Sequence, residues 1–294
     1  MSRVAVREDL SLEVVVEGDA DAQPLVLVHS AGADHRMWER NLPAIRDRFR
    51  VIRYDARGHG RSDVPPAPYT LDDLGTDLVA VLDGLGVASA NVVGASLGGL
   101  VALWLAVRHP DRVRGAVFAG AAARFGTPEA WEERADAVRR GGTEAVVDLV
   151  MHRFFSERFR REEAGVVAGF ADVLRRQSPE GYVGTCLALR DADLRDEVGA
   201  IRAPSLVVVG DEDVSAPPSD AEALRAAIPG ARLLVLEGAG HLCTVERPDV
   251  FEDIVEHLAR RRDEGRVLWS WWDGAADGDA AARDRSRADG LEPE

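Results

Sequence analysis

Gly94-Ala95-Ser96-Leu97-Gly98 stands directly after an apolar run at residues 90–93 and directly before a helix-forming stretch at 100–109. The order strand, tight turn, helix can lift a serine hydroxyl out of a sheet on a strained bend, and glycines on both sides keep other side chains out of that bend. Ser96 is therefore the first candidate nucleophile. Five residues carry little weight alone, so the surrounding chain has to supply the sheet.

Short apolar, β-branched runs recur at 12–16, 25–28, 51–54, 91–93, 113–118, 206–209 and 233–236. Several are apolar at every position, which suits strands covered on both faces in a mostly parallel sheet. Between them, 71–85 puts Leu74, Leu78, Val81, Leu82 and Leu85 on one buried stripe; 100–109 and 250–261 behave alike, and Pro110 ends the former. The pattern predicts an α/β fold with a mostly parallel central sheet flanked by helices. From Arg124 to about Val198 the strand signals vanish, and amphipathic helical stretches follow one another, broken by Gly141-Gly142, Gly165 and Ser178-Pro179. The expected organisation is a first part of the core at 1–123, a helical lid inserted at 124–198, a second part of the core at 199–262 and a tail at 263–294. In the tail Val267, Leu268, Trp269, Trp271 and Trp272 cluster, and from about Asp273 the chain lacks the apolar mass to fold, so disorder is expected there.

A chain of 294 residues, 46% hydrophobic, can bury one large core. Its formal charge of −15 argues against nonspecific nucleic-acid binding, because phosphates are repelled by such a surface. There is no lysine, so all 36 basic residues are arginine, and any cation in a pocket must be arginine or histidine. No run of eighteen apolar residues occurs, and residues 1–10 carry charges throughout, which predicts neither a membrane span nor a secretory signal and places the protein in the cytoplasm. Cys186 and Cys243 are too few and too far apart for a disulfide scaffold and read as buried thiols. No metal-ligand spacing, phosphate loop or dinucleotide fingerprint is present, so neither a metal nor a cofactor is expected. Oligomeric state is not set by these features.

A serine hydroxyl is a poor nucleophile near neutral pH and needs a histidine to take its proton and a carboxylate to hold the imidazole tautomer. On a sheet of this kind the order is Ser, acid, His. Asp213 lies in Gly210-Asp211-Glu212-Asp213, just past the run ending at Val209, and His241 lies in Gly238-Ala239-Gly240-His241, just past the next run. Asp211 and Glu212 crowd the same loop and remain alternatives to Asp213, whereas residues 120–123 offer no acid after the earlier strand. Among the other histidines, His35, His59 and His109 are not on a loop after a late strand, and His152 falls in the helical insertion. His257 lies off the apolar face of its helix, and His29 ends a strand where it can serve backbone hydrogen bonding. An acyl-transfer site also needs amide donors for an oxyanion, expected here at Leu97 and at Ala31 in His29-Ser30-Ala31-Gly32.

Together with Tyr54-Asp55-Ala56-Arg57-Gly58-His59-Gly60-Arg61-Ser62, the elbow and the late Asp and His loops make the chain resemble the α/β-hydrolase superfamily from residue 12 to about 262. Within it, Ser30-Ala31-Gly32-Ala33-Asp34-His35-Arg36-Met37-Trp38, Ala122-Ala123-Arg124-Phe125-Gly126-Thr127-Pro128-Glu129-Ala130-Trp131, Pro179-Glu180-Gly181-Tyr182 and Ala188-Leu189-Arg190-Asp191-Ala192-Asp193-Leu194-Arg195 resemble 3-oxoadipate enol-lactonases. That resemblance implies opening of an enol-lactone to 3-oxoadipate in the β-ketoadipate pathway of aromatic degradation, with Ser96 attacking the lactone carbonyl and His241 accepting its proton. The substrate would be a small carboxylate-bearing lactone. Arg134, one helical turn beyond Trp131, is the first candidate to clamp its carboxylate, Arg190 the second, and Trp131 a candidate wall of the site. The same machinery would serve another carboxylesterase, a perhydrolase or a biosynthetic tailoring hydrolase, and a ligand receptor with slow residual turnover is the alternative from a different class.

Overall fold

The computed structural model describes residues 2–259; the tail expected at 263–294, its tryptophan cluster and the side chain of His257 lie outside the described residues. Eight strands, β1 (Ser2–Arg7), β2 (Leu10–Glu17), β3 (Gln23–Val28), β4 (Phe49–Tyr54), β5 (Ala90–Ala95), β6 (Val113–Ala119), β7 (Ser205–Gly210) and β8 (Arg232–Leu236), form one sheet in the order β1-β2-β4-β3-β5-β6-β7-β8. Pairing is antiparallel for β1 with β2 and for β2 with β4, and parallel everywhere else. This is the mostly parallel α/β sheet expected from the apolar runs, in the arrangement the α/β-hydrolase resemblance implies. β5 and β7 are buried at every position, as strands covered on both faces must be. The sequence pattern missed β1, whose charged residues alternate on an exposed edge.

Strand order reverses at β3: β4 lies on one side of it and β5 on the other. Loops leaving β3 and β5 therefore meet at the carboxyl edge, the place where open α/β sheets collect their ligands. The helix Leu71–Gly84 begins with a reciprocal cap, Thr70 Oγ1 accepting from Asp73 N at 3.1 Å while Thr70 N donates to Asp73 Oδ2 at 3.0 Å. Its Gly75 lies flat on Trp104, where an added Cβ would come within 2.1 Å of the indole. That contact lets it pack closely on the helix Leu97–Arg108.

Between β6 and β7 the described chain is helical, with segments Pro128–Gly141, Val147–Phe154, Glu157–Glu162, Ala164–Arg175 and Pro179–Asp191. The first and last of these pack on each other. Gln177 fastens this block to the sheet loops: its Nε2 donates to Ala33 O at 2.9 Å and its Oε1 accepts from Gly60 N at 2.9 Å. Gly181 meets Gly58 backbone to backbone, where a Cβ would sit 2.2 Å from the Gly58 carbonyl oxygen. Among the described residues no helix is long and apolar enough to cross a membrane.

Two buried imidazoles brace the loop after β3 against the loop after β4. His29 accepts from Ala56 N at Nε2 (2.9 Å), and its Nδ1 donates to Ser30 O (2.8 Å). His59 accepts from Gly32 N at Nε2 (3.1 Å), and its Nδ1 donates to Arg57 O (3.1 Å). Both rings must be neutral, because each needs one nitrogen as acceptor. Burial, followed by repulsion from His29, pushes His59 down to about 4, and burial likewise lowers His29. An unfolded histidine takes up its proton near pH 6.5, so the unfolded chain binds more protons between that pH and about 4, and stability falls as the pH drops through this window. The free energy of unfolding, measured by urea denaturation, should be about 2 kcal/mol lower at about pH 5 than at about pH 7.5 on account of His59 alone. His59→Gln should lose that part of the pH dependence; an identical slope in the variant would contradict it.

Candidate active site

β5 ends at Ala95 and the next helix begins at Leu97, leaving Ser96 alone at the bend with φ 55° and ψ −117°. It is the one non-glycine residue with positive φ among those described. Its N–H donates to Ala119 O (2.9 Å), and its carbonyl accepts from Leu100 N (3.0 Å). The helix start is pressed against strand backbone: a Cβ on Gly98 would lie 2.1 Å from Val28 O, and one on Gly94 would lie 2.0 Å from Gly98 O. Leu97 is the first residue of the helix, so its amide has no helical acceptor.

His241 and Asp213 are both buried, and His241 Nδ1 hydrogen-bonds Asp213 Oδ2 at 2.8 Å. The other carboxylate oxygen, Oδ1, accepts from Ser215 N (2.7 Å) and Ala216 N (2.9 Å). Of the three acids on this loop, the fold brings Asp213 to the histidine. Asp211 is exposed and accepts instead from Gly238 N at 2.7 Å, and Glu212 is exposed. Gly120, with φ 50°, clears space for the pair, since a Cβ there would lie 3.1 Å from His241 Nδ1 and 3.4 Å from Asp213 Oδ2. Phe154 stacks on the imidazole (centroids 6.2 Å apart, 29° between planes) and Phe125 meets it edge-on (6.3 Å, 87°). The histidine loop is anchored as well: Leu242 N donates to Phe154 O (2.8 Å), and Glu246 accepts from Gly240 N (3.1 Å) and Ser156 Oγ (2.7 Å).

Ser96 and His241 border one cavity of about 280 Å³, together with Ser30 and Ala31 from the loop after β3. Trp131 and Arg134 close it from the helical block. Trp131 is fixed by Nε1 donating to Phe125 O (2.8 Å), and the Arg134 guanidinium lies 4.6 Å above its ring centroid. Arg190 does not border this cavity. It pairs with Glu132 (2.5 Å) and Asp191 (2.8 Å) instead.

A second cation in the cavity wall, Arg153, was missed by sequence reasoning. Burial and the neighbouring Arg134 both lower its pKa. The signal was present: Val147, Val150, Met151 and Phe154 form the buried stripe of its helix, and Arg153 adjoins that stripe. The fold also gathers Asp34, His35 and Asp55, whose ligand atoms lie within 4.8 Å of one another, a grouping the sequence spacing did not show. These atoms already bond one another and the chain: Asp55 Oδ1 accepts from His35 N (2.8 Å) and Nδ1 (2.7 Å), and Asp34 accepts from Arg36.

A strained serine at a strand-to-helix turn, bordering one cavity with a histidine held by a buried carboxylate, has the parts that acyl transfer requires. A family model described as the alpha/beta hydrolase fold matches residues 23–248. The chain is 36% identical over 254 residues to 3-oxoadipate enol-lactonase 2 of Acinetobacter baylyi, covering 86% of this chain and 95% of that one. The crystal structure of the enol-lactonase from Burkholderia xenovorans LB400 is 38% identical, with a TM-score of 0.84, covering 87% of this chain and 98% of the other. A thermophilic esterase from Thermogutta terrifontis, solved with malate bound, is 30% identical, with a TM-score of 0.82, over 88% and 97% of the two chains. The chain belongs to the alpha/beta hydrolase family and is a hydrolase.

Proposed function

We propose that this chain opens 3-oxoadipate enol-lactone to 3-oxoadipate through an acyl-enzyme on Ser96. The observation that carries the reading is His241, held by Asp213 at 2.8 Å, bordering the same cavity as the elbow serine and two arginines. Ser96 Oγ attacks the lactone carbonyl and gives its proton to His241 Nε2, while Asp213 holds Nδ1–H and stabilises the imidazolium. The amides of Leu97 and Ala31 take the oxyanion. Collapse of the tetrahedral intermediate breaks the ring C–O bond and expels an enolate, which takes up the proton held by His241 to become the ketone of the product and leaves the imidazole neutral for the next step. Water deprotonated by His241 then attacks the acyl carbon and releases Ser96 and the new carboxylic acid.

Arg134 supplies the clamp for the substrate carboxylate, its guanidinium pre-set by stacking on Trp131, and Arg153 adds a second positive charge to the same wall. Two arginines that form no ion pair among the described residues suit an anionic substrate better than a neutral ester. The free, buried thiols of Cys186 and Cys243 suit a reducing compartment, and we place the reaction in the cytoplasm.

On freshly generated enol-lactone, followed spectrophotometrically, Ser96→Ala should lower kcat on the order of 10⁴-fold or more with an unchanged circular dichroism spectrum. Equal turnover by both proteins would remove Ser96 as the nucleophile. Arg134→Met should raise KM for the lactone about tenfold or more and leave an uncharged ester such as p-nitrophenyl acetate within about twofold of the parent. A parent enzyme that prefers the uncharged ester to the lactone would point to a general carboxylesterase instead.

A further inference from the structure

Ser30 is wholly buried in the wall of the catalytic cavity, and its Oγ has no hydrogen-bond partner among the described residues. The rest of the residue is fully engaged. Its N–H points at Met37 Sδ (3.3 Å), and its carbonyl accepts from His29 Nδ1 (2.8 Å) and Ala33 N (3.1 Å). A serine serving only the fold at a strand-to-loop junction normally spends its hydroxyl on a nearby backbone group. A buried hydroxyl left without a partner opposes folding and calls for an explanation, and of the groups so placed among the described residues Ser30 is the one that borders the catalytic cavity.

Its neighbours explain how it could be aimed. Ser30 C=O and Ala31 N–H are opposite ends of one trans peptide, so holding the oxygen on His29 turns the Ala31 amide the other way. The following peptide is held by Gly32 N on His59 Nε2 (3.1 Å). With both flanking peptides fixed, the Ala31 amide and the Ser30 hydroxyl are the donors of this segment left over, in two residues that border the cavity shared with Ser96 and His241.

We infer that Ser30 is a catalytic residue whose hydroxyl donates a third hydrogen bond to the oxyanion formed when Ser96 attacks, beside the amides of Leu97 and Ala31. The inference rests on the serine-hydrolase reading of the site and not on the lactone as substrate. A hydroxyl can rotate toward charge as it develops, so its contribution belongs to the transition state and falls on kcat rather than KM.

Ser30→Ala should lower kcat about tenfold or more on both the enol-lactone and p-nitrophenyl acetate, with KM within about twofold. Phenylboronic acid, which forms a tetrahedral anionic adduct on the serine, should bind the variant more weakly by a similar factor. Because the hydroxyl bonds nothing in the fold, Tm should stay level or rise. An unchanged kcat, or a Tm that falls along with kcat, overturns the inference. Parent enzyme that acts on the aryl acetate but not on the lactone would count against the proposed substrate alone, since the aryl acetate and boronate measurements still decide the role of Ser30.

Discussion

Backbone meets backbone where the helix Leu97–Arg108 starts, and the site depends on that approach. A Cβ on Gly98 would lie 2.1 Å from the carbonyl oxygen of Val28, so the helix seats directly on the end of β3 with no side chain between. That proximity puts the loop after β3, with Ser30 and Ala31, beside the serine at the end of β5. Strain at a non-glycine residue with φ of 55° costs about 1–3 kcal/mol. The helix that imposes it is buried from Leu97 through Ala106, and each fully buried leucine contributes about 1.5–3 kcal/mol. Leu100, Leu103 and Leu105 together are more than enough to hold the bend.

Charge is arranged against the net sign of the molecule. The chain carries −15 overall, yet the cavity presents Arg134 and Arg153, both on the helical block. Most other arginines among the described residues are paired with carboxylates, whether buried, as Arg57 with Asp77 at 2.6 Å, or exposed, as Arg139 with Asp136 at 2.7 Å. A guanidinium facing a half-enclosed cavity is screened less than one at the surface, so two of them against the single carboxylate of Glu133 leave the wall a local positive excess that the global charge does not cancel. The depressed pKa of Arg153 comes from burial first and Arg134 second, the same two features that would make an anion welcome there.

Features governed by local periodicity were legible in the sequence. The continuous apolar runs that became β5 and β7, the elbow between them and the loops ending at Asp213 and His241 all follow from burial on both faces and from chain order. Features settled by long-range pairing were not. Three acids on one loop look alike in sequence, and the amides of Ser215 and Ala216 are what turn Asp213, not Asp211, toward the imidazole. Arg190 stood as the second candidate after Arg134, and only the fold shows that Glu132 on the facing helix draws it away. β1 escaped notice because an exposed edge strand needs no apolar run. The bridges made by His29 and His59 join residues 27 apart in the chain and depend on tautomers, which leave no periodic trace.

The helical block also bears on the chemical step itself. Phe154 lies on the imidazole of His241, its carbonyl receives Leu242 N, and Arg153 beside it faces the cavity. Ser156, two residues on, bonds Glu246, which in turn receives Gly240 N just before the histidine. One short segment therefore sets both a positive charge in the cavity and the walls around the His241 imidazole. Adjusting this segment for a new substrate would shift the imidazole too, because a ring packed against Phe154 cannot stay in place when that side chain moves. The cavity wall and the imidazole are thus coupled through packing, by Phe154 directly and by Trp131 through Phe125, whereas Arg134 reaches the ring only through its stacking on Trp131.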